Sequence, residues 1–373
     1  MRPAAVFRST AGSEPGLTAV EDPEASPSPR DWSMSDTRFW RMGATPVPAT
    51  EIGRLAGALE ESGWDGLAIG EAHGLLPDPY VLLGVAAGAT TSLRLGTAVA
   101  VPLRHPLLAA DAMATVHAMS GGRSRFVLGR GDGAMKVLQR EPMPVSAFEE
   151  YLRALMGYLH RREVEYDGAV SSMSRLDDID PSLAVAPPKI SVAATGPRMI
   201  AAAARWADGI DFSVGADVER LRESVGLARG ACVSAGRDPS ELNFGCFVQV
   251  AVTDGEDEMT EAVRGLIITH ARFSGNFTSA AASVMEKVLT SSRGGVTPTG
   301  RPGELEFYPK EALDPAAVKA FGVIGSAAEC ATQLAPIVEL GLAHVYIGTR
   351  AVGVDIEEEN ALRIGRDLLP RLR

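Results

Sequence analysis

From residue 37 onward, short apolar runs alternate with segments of helical period. The run Phe39 to Ala44 is followed by Ile52, Leu55, Ala56 and Leu59, an i, i+3, i+4, i+7 stripe behind the N-cap candidate Thr50. Similar apolar runs cover 66–70, 93–101, 125–129, 189–194, 209–214, 243–252 and 344–348; with the first they make eight predicted strands. Helical stripes separate them: Phe148, Tyr151, Leu152, Leu155 and Leu159, then Val218, Leu221, Val225, Ala228 and Cys232, then Ala331, Leu334 and Val338. A last helix is predicted over 360–369. Strands this uniformly apolar are buried on both faces, as parallel strands under crossover helices are. Eight β/α repeats predict an α/β fold, a (β/α)8 TIM barrel with insertions, in preference to a doubly wound sheet.

Residues 1–36 break the pattern. The stretch EPGLTAVEDPEASPSPRD has no sustained period and is rich in Pro, Ser and acidic residues. Such a segment cannot bury enough apolar surface to offset its ordering entropy, so a disordered arm is predicted ahead of one barrel domain over 37–373. Met34 stands just before the first strand and is either an internal methionine or the true start. Two connections, about 160–188 and 270–320, are too long for simple crossovers. Segments of this length are lids or binding loops, or else surface insertions or oligomer contacts.

Composition narrows the function classes. The chain has 373 residues, 46% of them hydrophobic, and a net charge of −11. With no basic block, an electrostatic nucleic-acid binder is not expected. The longest apolar runs, 81–89 and 95–103, are about half of the roughly 18 residues that a membrane span needs. The N-terminal sequence carries no apolar signal core, so a cytoplasmic protein is expected. Three cysteines without a Cys-x-x-Cys spacing give neither a disulfide framework nor a zinc site. No His-x-x-x-His, His-Glu-x-x-His or carboxylate cluster has metal spacing, and none of the P-loop or Gly-x-Ser-x-Gly motifs occurs. No catalytic metal is expected.

In a TIM barrel the chemistry sits where the strands end. After the second predicted strand comes Gly70-Glu71-Ala72-His73-Gly74, and after the third Val101-Pro102-Leu103-Arg104-His105-Pro106. The fourth leads into Gly129-Arg130-Gly131-Asp132-Gly133, and the fifth into Ala194-Thr195-Gly196-Pro197-Arg198. Glycines here permit positive φ and close approach of backbone to a ligand. Thr195 to Arg198, opening a helix, offer an anion site suited to a phosphate, or an ordinary N-cap with Pro at its start. His73 is a candidate general acid, against the plainer reading of a solvated loop histidine. A barrel aldolase would need a lysine at a strand end, and Lys189 stands at a strand start.

Five segments carry a family resemblance: 59–74, 93–123, 125–133 (RFVLGRGDG), 194–210 (ATGPRMIAAAARWADGI) and 321–348. In order, they resemble the bacterial luciferase-like monooxygenase superfamily, and within it the branch using the deazaflavin coenzyme F420. The resemblance implies a TIM barrel and an F420-dependent oxidoreductase that moves a hydride between deazaflavin C5 and a small organic substrate. FMN with a monooxygenase reaction is the alternative cofactor reading, and a non-catalytic flavin-binding barrel a further one. By position it implies cofactor contacts from Glu71, Thr97, Ala98, Val99, Gly129, Gly131, Gly133, Thr195, Gly196, Pro197 and Arg198. It also implies a non-proline cis peptide near Ala98-Val99, and leaves a homodimer open. The chain departs from the pattern at Ala72, where many members have His, and at Ala134, where sugar-phosphate dehydrogenase members have Glu. Either His73 or Asp132 then serves as the proton donor, or the reaction needs no strong protein acid.

Overall fold

The computed structural model describes residues 37–43, 47–74, 76–131, 134–253, 322–349 and 354–373. The predicted arm over 1–36 and the insertion over 270–320 lie outside the described residues. Eight parallel strands close into a barrel: β1 (Arg38–Gly43), β2 (Gly66–Ile69), β3 (Arg94–Ala100), β4 (Ser124–Leu128), then past a small hairpin β7 (Lys189–Ala194), β8 (Gly209–Phe212), β9 (Asn243–Val252) and β11 (His344–Gly348). These are the eight predicted strands, each running beside the next, with β8 on β9 and β11 on β1 completing the ring. A ninth strand, β10 (Gly322–Gly325), pairs with the C-terminal half of β9 and was not predicted.

Helices pack outside the ring. Those that bear on the site are α1 (Ile52–Glu61), α2 (Pro79–Ala89), α3 (Pro106–Met119), α5 (Val145–Leu159) after the short α4 (Ala134–Val137), and, past another short helix α6 (Leu176–Ile179), α7 (Pro197–Trp206). Thr50 is not the cap of α1: it lies in a 3-10 turn, Ala49–Glu51, and Glu51 caps the helix without a side-chain bond. The closing helix starts earlier than predicted, at Val354, and continues through a π turn to Leu368. It is fixed by polar bonds. Buried Arg41 on β1 pairs with Glu357 and donates to Thr349 Oγ1 at 3.2 Å, while Asn360 Oδ1 accepts from Val252 N at 3.1 Å.

The segment 160–188 forms a hairpin of β5 (Val164–Tyr166) and β6 (Ala169–Ser171), followed by α6. It joins the end of α5 to the start of β7, on the side where strands begin. Tyr166 packs edge-on against His105 and Tyr151, and Arg161 grips Asp177 at 2.6 Å. This insertion packs on the outer wall over α3 and α5, with Tyr166 reaching His105 at the start of α3.

Two apolar cores lie among the described residues. The larger fills the space between ring and helices. The smaller lies inside the ring: Trp40, Met42, Ala68, Val127, Phe247 and Tyr346. Trp40 stacks on Tyr346 at 5.5 Å and Tyr346 on Phe247 at 5.1 Å. Gly66 makes room, since a Cβ there would stand 2.3 Å from the Trp40 ring. Beside these rings lie buried Arg125 and Asp211, 3.7 Å apart, with Arg125 Nε donating to Tyr346 Oη at 3.2 Å. Burial pushes the Asp211 carboxyl up, against the pull of Arg125.

His344 closes this floor, its Nδ1 accepting from Trp40 Nε1 at 3.1 Å. Desolvation of the ring, then the charges of Arg125, Arg94 and Arg38, hold its pKa well below the usual histidine value. The unfolded chain therefore binds a proton that the folded one refuses, and stability contributed by neutral His344 is complete above about pH 6.5 and lost as pH falls below it. Unfolding free energies from urea titrations, measured downward from pH 7, are expected to fall by up to about 1.4 kcal/mol per pH unit from this group, and His344→Gln to flatten that limb. An unchanged slope in the variant would place the titration elsewhere.

Candidate active site

Toward the C-terminal ends of the strands the interior changes character. Alternation along the strands carries the inward positions from the large floor residues to Gly70, Ala98, Gly129, Ala193 and Ser213. Ala98, Val99 and Ala193 are half-buried against the inner core, whereas the floor is closed. Small side chains over a plugged floor leave a concave mouth, which is where binding groups gather in this fold.

The β3 wall of this mouth is irregular. The Ala98–Val99 peptide is cis, and the β3–β4 register shifts between Ala98 and Ala100. Gly129, just beyond β4, is packed against this bulge: a Cβ there would stand 3.0 Å from Val99 Cγ2. Gly131 holds φ at +89°, a value that suits glycine. Asp132 and Gly133 lie outside the described residues.

Glu71 leaves the end of β2 and braces the bulge. Its N–H donates to Val99 O at 3.1 Å, and its Oε2 accepts from Val101 N at 2.8 Å. Its Oε1 meets His73 Nε2 at 2.9 Å and Arg104 Nε at 3.3 Å. The carboxylate is 1% exposed and the His73 side chain 34%. Arg104 also pairs with Asp78, the N-cap of α2, and its guanidinium lies 4.6 Å over the Tyr80 ring. Burial, reinforced by the charge of Glu71, holds the Tyr80 and Tyr151 hydroxyls above the usual tyrosine range. From the sequence, Glu71 and His73 receive roles, Arg104 is placed after the third strand without one, and Asp78 and Tyr80 are not singled out. The signals were an Asp-Pro pair opening an apolar helix and an arginine just past the third strand.

The remaining candidates divide. Thr97 is fully buried, its hydroxyl donating to Val127 O at 3.0 Å, so its side chain is committed to the strand pair. Thr195 and Gly196 are half-buried at the end of β7, with the Thr195 hydroxyl 3.4 Å from Ser213 O. Gly196 caps α7 without a side-chain bond, Pro197 takes the first helical position, and Pro197 and Arg198 are exposed. The first-turn N–H groups thus have no capping side chain, and Arg198 lies within that turn. A Cβ at Gly196 would meet nothing within 4 Å, so this end of the mouth is open. His117, by contrast, is a packing residue bonded to Ser124 Oγ at 2.7 Å. Among the described residues no His, Cys, Asp or Glu group has the arrangement of a metal site, and no helix is long and apolar enough to cross a membrane.

The family model for luciferase-like monooxygenases matches residues 32–344, and the chain belongs to that family. It is 33% identical over 208 residues to a phthiodiolone/phenolphthiodiolone dimycocerosates ketoreductase of Mycobacterium tuberculosis, covering 51% of this chain and 52% of that protein. The match therefore spans about half the length of those ketoreductases. A 5,10-methylenetetrahydromethanopterin reductase of Methanopyrus kandleri is 23% identical over 345 residues, 87% of this chain and 95% of the relative. Among solved structures, the coenzyme F420 dependent tetrahydromethanopterin reductase from Methanopyrus kandleri aligns with a TM-score of 0.69 at 18% identity, covering 91% of this chain and 100% of that one. An F420-dependent secondary alcohol dehydrogenase, in complex with an F420-acetone adduct, aligns at 0.68 with 16% identity over 91% and 99%. At such identities the structures attest the barrel fold. The relatives are reductases by name.

Proposed function

We propose that the chain is a coenzyme F420-dependent oxidoreductase acting on a small organic substrate. The observation that carries this reading is the pairing of His73 with buried Glu71 at the rim of a mouth lined by small residues, beside the Ala98–Val99 bulge. A flat tricyclic ring fits such a wall, because Gly129 and Ala98 leave its surface free of protruding side chains. When bound, the deazaflavin supplies hydride chemistry at C5. The rest falls to the protein. Ala98, Val99 and Gly129 flank the ring, the plugged floor keeps water out from below, and His73 holds the proton that the substrate gains or loses. Thr195, Gly196 and Arg198, with the N–H groups opening α7, hold the phosphate-bearing side chain. The relatives named for F420 support the choice of cofactor.

Titration of the purified protein with F420 and with FMN, followed by fluorescence, tests this. Saturable F420 binding is expected; tight binding of FMN alone would support a flavin monooxygenase instead. Arg198→Ala is expected to weaken F420 binding by about 1.5 to 3 kcal/mol, the scale of a charged hydrogen bond, without loss of fold, since the side chain is exposed. Unchanged affinity would remove the α7 cradle from the account.

A further inference from the structure

We infer that Glu71 is a positioning residue that fixes the tautomer of His73, so that Nδ1 is the ring nitrogen that exchanges the proton. This rests on the proton-holding role proposed for His73. A carboxylate only accepts, so the ring nitrogen 2.9 Å from Glu71 Oε1 carries a hydrogen. In the neutral ring that hydrogen sits on Nε2 and the lone pair stands on Nδ1.

Glu71 is itself held on several sides. Its Oε2 accepts from Val101 N at 2.8 Å and its N–H donates to Val99 O at 3.1 Å. The carboxylate is therefore tied to the stretch of β3 that carries the Ala98–Val99 bulge, and the ring it grips is held in register with that wall. Arg104 completes the device. Its Nε, 3.3 Å from the same Oε1, keeps a cation beside the buried carboxylate when His73 is neutral and when it is protonated. A buried carboxylate without a partner is costly, and Arg104 removes that penalty from the proton transfer. Arg104 is kept in place by Asp78 and by the Tyr80 ring under its guanidinium. In the transfer, Nδ1 takes up or returns one proton while the Nε2–H bond to Glu71 persists.

The test is a long-range proton–nitrogen correlation spectrum of protein labelled with 15N-histidine. The chain has 6 histidines, and the His73 signal is assigned by its loss in His73→Gln. Measured where the ring is neutral, His73 is expected in the Nε2–H form. In Glu71→Gln the preference should collapse to a mixture, and turnover should fall by about 10- to 100-fold, the scale seen when an orienting partner is lost. An Nδ1–H ring in the unmodified protein overturns the inference, and that reading needs no folded variant. A Glu71→Gln enzyme with undiminished turnover overturns it equally. The tautomer is read without cofactor or substrate, so a failure to bind F420 would strike the proposed function and leave the Glu71–His73 assignment standing.

Discussion

His73→Gln is expected to lower turnover by about 10² to 10⁴-fold, the range that general acid–base catalysis contributes, while F420 affinity changes little. The substitution is chosen for what it keeps. Glutamine retains an N–H donor for the buried Glu71 carboxylate, so the brace on Val99 and Val101 is not left with an unpaired charge. What it removes is a ring nitrogen able to take up and return a proton. Steady-state assay of F420 oxidation or reduction, with cofactor binding measured separately, divides the two effects. Near wild-type turnover would take the proton away from His73 and leave Asp132 as the candidate.

Asp211→Ala is expected to destabilise the fold by about 3 to 5 kcal/mol, because it strands Arg125 without its counter-charge inside the barrel. Arg125 is almost fully buried, and the Tyr346 hydroxyl and Asp211 are the polar partners its side chain has in the described floor. Asp211 fills space as well as supplying charge: a Cβ on Gly245 would stand 2.1 Å from its Oδ1. Replacing both members, as in Arg125→Met with Asp211→Leu, should recover much of the loss, since an apolar pair of similar volume avoids the cost of burying ions. Urea denaturation of the two variants checks this. If the double variant were no more stable than Asp211→Ala, packing rather than charge would be the source of the loss.

The barrel was legible because its strands are apolar on both faces. Each of the eight runs stands out against its neighbours, and the helical stripe from Phe148 to Leu159 is buried along α5 as its period requires. β10 escaped because Gly-Val-Ile-Gly is four residues long and owes its strand character to its partner β9. Thr50 misled because a 3-10 turn comes between it and α1. The cis peptide at Ala98–Val99 was expected from family resemblance and from nothing in the local residues. At the site, Glu71 and His73 could be named from their place after a strand, but their shared bond with Arg104 joins loops far apart in the chain. The charged floor was harder still. Arg125 and Asp211 read in sequence as polar interruptions of two strands, and only closure of the ring brings them face to face.

A crystal structure of the protein with F420 bound tests the proposed site most directly. The deazaflavin ring is expected against Ala98, Val99 and Gly129, its phosphate-bearing side chain at the start of α7, and His73 bonded to Glu71 through Nε2 with Nδ1 turned toward the space beside the ring. Cofactor bound away from the Ala98–Val99 wall, or His73 turned out of the mouth with Glu71 held by Arg104 alone, would contradict it.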